Sequence, residues 1–241
     1  MTGNKYLLFL TALMGSLVAL ANDDAAIYER LQSILPAEQV AKVGQTPISS
    51  LREIVVDGSV FYLSLDGRYL FQGDVIDLVS GENLTDLVKN NIRKEMFASV
   101  NEIDSINFFD PTQEVKNKVY VFTDIDCGYC RKLHLEIPKL NKAGVAVSYL
   151  SFPRSGLKGE SHSKAQNVWC SEDRKTALTQ AKLGKKIDVL KCDAPIKDQY
   201  NLGKAMGLRG TPAVYTENGV YLGAYASAET IVKQLVVLET Q

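Results

Sequence analysis

The spacing of apolar positions changes character repeatedly along the 241-residue chain. Residues 25–43 carry apolar side chains at helical intervals and are broken at Pro36, which predicts a short amphipathic helical region. From 47 to 79 the period shortens to that of strands. Leu51–Val56, Ser59–Leu65 and Arg68–Gln72 are rich in β-branched and aromatic residues, and Asp57-Gly58 and Asp66-Gly67 between them are tight-turn dipeptides. This segment predicts a small antiparallel meander of three or four strands. At about 50 residues it is short for an independent core, and its open edge invites a partner. Residues 83–101 return to helical spacing, with Leu84, Leu87, Val88, Ile92 and Met96 near one face and Asn83 or Thr85 placed to cap the start. Nothing predicts a second long helix beside it, so it reads as a linker helix between two domains.

Beyond residue 101 strands and helices alternate. Lys118–Thr123 predicts a buried strand, 128–143 a helix perturbed at Pro138, and Val145–Phe152 a second strand. Residues 160–205 read as largely helical. Ala213–Thr216 and Val220–Gly223 predict a hairpin across Glu217-Asn218-Gly219, and 227–238 a closing helix. The expected fold class is therefore α+β: a meander domain over 22–82, a linker helix over 83–101, and an α/β sandwich with a helical insertion over 102–241.

The first 21 residues stand apart. Lys5 precedes the apolar stretches Tyr6–Leu13 and Leu17–Leu20, Ala19-Leu20-Ala21 has the small-x-small form of a cleavage site, and Asp23 and Asp24 follow at once. The apolar run is short for a membrane anchor, so a leader cleaved near Ala21 is expected. Export places the mature chain where disulfides persist. The remaining composition is ordinary for a globular protein, with 46% hydrophobic and 23% charged residues. The 27 basic and 28 acidic residues leave a net charge of −1, which argues against a nucleic-acid partner. Four cysteines and two histidines leave few actors for thiol or imidazole chemistry.

Cys127-Gly128-Tyr129-Cys130 lies between a predicted buried strand and a predicted helix. Free N–H groups and the positive end of the helix dipole favour a thiolate there. Thiolate is the attacking species in disulfide exchange, and two intervening residues let the second cysteine reach back to the first. Cys127 is thus the expected exposed nucleophile and Cys130 the resolving thiol one turn further in. A structural zinc needs four ligands; with one Cys-x-x-Cys and only His134 and His162, a fourth ligand is wanting and no metal is expected. Cys170 and Cys192 are expected to form a structural disulfide, a second redox pair being the alternative. The Lys182–Lys191 stretch reads as a solvated face, Trp169 as packing against the bridge, and His134 and His162 as surface or supporting residues. Thr211-Pro212, just before an apolar strand, is unusual for a plain strand entry.

Together these residues resemble the thioredoxin fold, and more closely the DsbC/DsbG family of periplasmic disulfide isomerases. The resemblance is carried by Phe122 to His134 around the cysteine pair, by Tyr149–Arg154, by Val168-Trp169-Cys170 and by Gly210–Val214, and it spans residues 22–241. It implies a V-shaped homodimer joined through the N-terminal meander, with two thioredoxin-like domains around an apolar cleft. It implies a thiol:disulfide isomerase without cofactor that reshuffles misfolded exported proteins, has chaperone activity, and is kept reduced by a DsbD-type membrane reductase. Thr211-Pro212 matches the cis-proline loop that faces the cysteines and binds substrate backbone. Asp126 stands where threonine is usual and Arg131 where histidine is usual; a carboxylate beside Cys127 raises a thiol pKa, and the Arg131 charge opposes it. Two other readings remain. A DsbG-like reductase normally carries proline within the cysteine pair and Thr-Thr-Pro at the loop, unlike Gly128 and Gly210 here. A holdase would suppress aggregation without its active-site cysteines.

Overall fold

The computed structural model describes residues 15–36, 39 and 41–240. Most of the expected leader, residues 1–14, lies outside these. Contacts divide the chain into two units, one ending at Thr85 and the other starting at Asp86.

In the first unit, helix α1 (Gly15–Ile34) precedes four strands, β1 (Ala41–Gln45), β2 (Leu51–Val56), β3 (Ser59–Ser64) and β4 (Leu70–Phe71). They pair in sequence order as an antiparallel meander. The β2–β3 turn is Asp57-Gly58, both at positive φ (49° and 74°), the conformation a two-residue hairpin loop of matching twist demands. Alternation along β2 sends Arg52, Ile54 and Val56 inward. Ile54 and Val56 meet Ile27 and Leu31 of α1 and Leu63 of β3 in one small core. Arg52 donates through Nε to Asp24 Oδ1 at 2.8 Å, so the inward guanidinium is paired. The helical region expected over 25–43 is corrected. The helix stops at Ile34, before Pro36, and residues 41–43 belong to β1. Proline restricts the residue before it and lacks the N–H a helix needs. Pairing of Ala41 with Val56 and Gln45 with Arg52 then claims the chain that follows.

The second unit begins within helix α2 (Leu84–Ala98). A 3-10 turn at Glu102–Asp104 leads to β5 (Ile106–Phe108), β6 (Asn117–Thr123), α3 (Gly128–Lys142), β7 (Val145–Ser151), α4 (Glu160–Trp169), α5 (Arg174–Lys182), α6 (Ile196–Ala205), β8 (Ala213–Thr216), β9 (Tyr221–Gly223) and α7 (Ala228–Glu239). The sheet runs β5-β7-β6-β8-β9; β6 and β7 are parallel and the other neighbours antiparallel. Strand β6 is buried on both faces. Val119 and Val121 join Leu133, Ile137 and Leu140 of α3, Ile231 and Leu235 of α7, and Trp169 in one core. Tyr120 and Phe122 point into a second core with Phe97, Leu150, Phe152 and Tyr215. The expected linker helix is therefore docked at its C-terminal end: Phe97 stacks on Tyr120 with ring centroids 4.3 Å apart. Its packing partner is a sheet face rather than another helix. Strand β5, only three residues long, was not legible as a periodic run.

Cys170 at the end of α4 and Cys192 before α6 are joined in a disulfide. The bond closes a loop with a sequence separation of 22, for which chain entropy gives about 3 kcal/mol. Replacing both cysteines by alanine is expected to lower the unfolding free energy of this unit by about that amount, read from urea melts; an unchanged midpoint would refute a stabilising role.

Candidate active site

The central strand of the five-stranded sheet delivers the cysteine pair. β6 ends at Thr123, three residues turn across Asp124–Asp126, and Cys127 becomes the N-cap of α3 with extended backbone angles (φ −79°, ψ 119°). Its Sγ accepts the Cys130 N–H at 3.2 Å, taking the place a serine or aspartate oxygen usually holds at a helix start. The Thr211–Pro212 peptide is cis, and the Cys127 thiol donates to the Thr211 carbonyl at 3.2 Å. Pro212 itself is buried. Segments 84 positions apart thus meet at one sulfur.

Both sulfurs are free thiols, and Cys127 and Cys130 are 2% and 1% exposed. The expectation of an exposed Cys127 is corrected: the Thr211 carbonyl closes over it, while Gly128 and Tyr129 stay exposed. Tyr129 leans on Tyr225 at 6.0 Å, with Lys132 Nζ 5.1 Å above its ring.

The two thiols are electrostatically unlike. The Cys130 thiol's hydrogen bond to its sulfur pulls Cys127 down to about 5, against the opposing effect of burial, with the Cys130 N–H and the Arg154 charge adding to it. Burial pushes Cys130 up, and its role as donor to Cys127 pushes it further the same way. One sulfur is therefore a ready nucleophile at neutral pH and the other holds its proton.

Sequence reasoning missed the charged frame around them. Asp124 is 3% exposed; its Oδ2 accepts the Arg154 N–H at 2.8 Å and Arg154 Nε at 3.2 Å, and its Oδ1 accepts the Asp126 N–H at 2.7 Å. Asp126 is held by Lys164 at 2.9 Å, so its balancing cation is Lys164 rather than the Arg131 expected, and the positive charge acting on Cys127 is that of Arg154. His134 engages Tyr149 Oη at 3.1 Å and Thr179 Oγ1 at 3.0 Å through its two ring nitrogens. Burial and the Lys182 charge pull it down to about 4, which keeps it neutral. Lys182 is the clearest correction to the solvated-face reading: it is 3% exposed and donates to Thr123 Oγ1 at 2.8 Å. Only a charge placed at the last turn of a helix hinted at it; the other lysines of that stretch, Lys185, Lys186 and Lys191, are exposed. Trp169 is fully buried in the core, and its Nε1 donates to the Asp104 carbonyl at 3.0 Å.

A parallel strand-helix-strand with two thiols at the helix start and a cis-proline loop against them defines a thiol-disulfide oxidoreductase of the thioredoxin class. Residues 18–86 match the family described as disulfide bond isomerase protein N-terminal domain, and residues 111–237 match the thioredoxin-like domain. The thiol:disulfide interchange protein DsbC of Salmonella typhimurium is 33% identical over 203 residues, covering 84% of this chain and 83% of that protein. DsbC of Haemophilus influenzae is 34% identical over 228 residues, covering 90% and 93%. Among solved structures, a disulfide interchange protein from Neisseria gonorrhoeae is similar at 30% identity and a TM-score of 0.47, over 56% of this chain and 97% of that one. The chain belongs to the DsbC family.

Proposed function

We propose that this protein is a thiol:disulfide isomerase working from a reduced Cys127-Gly128-Tyr129-Cys130 site. The observation that carries the reading is the unequal pair: Cys127 drawn to about 5 while Cys130 keeps its proton. Cys127 thiolate attacks a non-native disulfide; a bond forms to one substrate sulfur and the other leaves as thiolate. A substrate thiolate then attacks that mixed disulfide, Cys127 leaves as thiolate, and the substrate departs rearranged with no net redox change. When rearrangement stalls, Cys130 attacks Cys127 and the substrate is released reduced. A DsbD-type membrane reductase then supplies the two electrons that reopen the pair. No cofactor enters the cycle.

The Thr211-Pro212 loop receives substrate backbone in this scheme. In support, the Thr211 hydroxyl is buried without a hydrogen-bond partner among the described residues. Space above Gly128 is open, since a Cβ there meets nothing within 4 Å. Residues 22–82 join two copies into a homodimer; the half-exposed Tyr69, Leu70 and Phe71 at the β4 edge support such pairing. The linker helix over 83–101 carries the catalytic domain over 102–241. Chaperone activity toward misfolded exported proteins accompanies the isomerase activity. The protein acts in the periplasm after cleavage near Ala21; among the described residues no helix is long and apolar enough to cross a membrane.

The test is recovery of ribonuclease activity from a scrambled-disulfide sample. Reduced wild type is expected to restore it and Cys127→Ser to leave it at background. Failure of the reduced wild type would sink the isomerase reading, and suppression of aggregation by a protein that fails this test would mark a holdase instead.

A further inference from the structure

Lys182 is buried at the end of β6, against the first residue of the loop that leads to the cysteine pair, and nothing in the scheme above uses it. Its side chain leaves the last turn of α5 and is buried against Thr123 of β6 and Tyr149 of β7. The ammonium donates to Thr123 Oγ1 at 2.8 Å, reaches the Asp124 carbonyl at 3.5 Å, and lies 5.7 Å from the centre of the Tyr149 ring. Among the described residues no carboxylate pairs with it. Asp124, the nearest, already accepts from Arg154 and from the Asp126 N–H.

A buried ammonium held by a hydroxyl, one long carbonyl contact and a ring is poorly compensated. The groups whose charge acts on it are Cys130, Cys127 and Arg131 of α3 and Asp124 of the preceding loop; His134 of α3 and Tyr149 of β7 also face it. Arg131 repels it, His134 is neutral, and burial holds the Tyr149 phenol protonated. The Asp124 carboxylate is committed to Arg154. Only the sulfurs gain and lose negative charge during exchange.

We propose that Lys182 is a positioning residue for the resolving step, its ammonium offsetting the negative charge that forms on Cys130 as that sulfur attacks the Cys127 mixed disulfide. In that step Cys130 yields its proton to solvent. A bond forms between the Cys130 and Cys127 sulfurs, the bond from Cys127 to the substrate sulfur breaks, and the substrate leaves as thiolate. The protein pair is oxidised by two electrons and the substrate reduced by two. Burial lowers the amine's pKa and a Cys130 thiolate raises it again, so the two charges stabilise each other. The inference rests on the proposed roles of Cys127 and Cys130.

The test is stopped-flow reaction of the reduced full-length protein with the disulfide dithiobis(nitrobenzoate), whose released thiolate is coloured. Two releases are expected: a first from attack by Cys127, and a second when Cys130 closes on the mixed disulfide. Lys182→Met is expected to keep the first release within about twofold of wild type. It is expected to slow the second about tenfold at neutral pH and to move its pH midpoint up by about one unit, with the two proteins converging at alkaline pH. A second phase with wild-type rate and midpoint overturns the Lys182 role alone. Loss of two-phase release in the wild type, or its persistence in Cys130→Ser, overturns the underlying roles of the cysteines and this inference with them. Carbon-13 spectra of the lysine Cε groups in wild type need no variant: one lysine is expected to titrate below the rest, with a midpoint that moves between the dithiol and disulfide forms. Identical lysine titrations in both forms overturn the proposal.

Discussion

Alkylation of the reduced protein with iodoacetamide is expected to label one cysteine, Cys127, from mildly acidic pH upward, and to leave Cys130 untouched. A group ionising at about 5 is roughly nine-tenths thiolate at pH 6, against about 0.3% for a cysteine at its usual value, a gain of roughly 300-fold. The less basic thiolate is intrinsically a weaker nucleophile, which removes roughly 30-fold of that and leaves about a tenfold faster reaction. The rate is expected to plateau above about pH 6 and to fall about tenfold per unit below about 5. Peptide mapping at each pH reads it. A midpoint near 8.5 would show that the capping N–H, the Cys130 thiol and Arg154 do not act together as described.

The same shift makes a stability claim. Cys127 ionises more easily folded than unfolded, so its contribution favours the folded dithiol above the unfolded value and vanishes as pH falls through about 5. Between about 5 and the ordinary cysteine range the dithiol form should gain stability over the disulfide form as pH rises, because the disulfide has no thiolate to stabilise. Above that range Cys130 acts in the opposite sense, since burial keeps it protonated where the unfolded chain would ionise. Paired melts of the two redox forms across pH give the curve. A stability difference flat from pH 5 to 8 contradicts the assignment.

Trp169→Ala is expected to be the most damaging single change away from the sulfurs. The indole, at the end of α4, is wholly buried in the larger core, and truncating a buried tryptophan costs about 3–5 kcal/mol in lost transfer and cavity terms. It also removes one of the two donors to the Asp104 carbonyl, leaving Gln199 Nε2 at 2.7 Å as the other. For a unit of this size the loss corresponds to a fall of roughly 10 °C or more in Tm. Calorimetry of Trp169→Ala and Trp169→Phe checks it; phenylalanine should recover part of the apolar term. A shift under about 3 °C would mean that the core closes over the gap at little cost.

Some of this molecule is written in short stretches of sequence. Asp57-Gly58 fixes the β2–β3 hairpin because both residues adopt positive φ, a demand satisfied within two positions. The alternation of Val119, Tyr120, Val121 and Phe122 declares a strand buried on both faces. Cys127-Gly128-Tyr129-Cys130 names its chemistry because a helix start and a two-residue gap are local features. Ala41–Val43 belong to a strand rather than to the expected helical region for the opposite reason: the strand character of β1 comes from pairing with β2 rather than from its own five residues. Phe97 likewise carries no mark of the Tyr120 ring on which it stacks.

The sequence by itself therefore determined the class of the protein, its two-part organisation and the cysteine pair proposed to carry its chemistry, since helix period, turn conformation and cysteine spacing act over a few residues. Only the tertiary structure decided how those sulfurs are tuned. Thr211 reaches Cys127 across 84 positions, Arg154 and Asp124 pair beside it, and Lys182, one lysine among several in a polar run, is the one that is buried. Burial, and with it the strength of every charge near the site, is a property of where distant segments close on one another, and no local pattern encodes it.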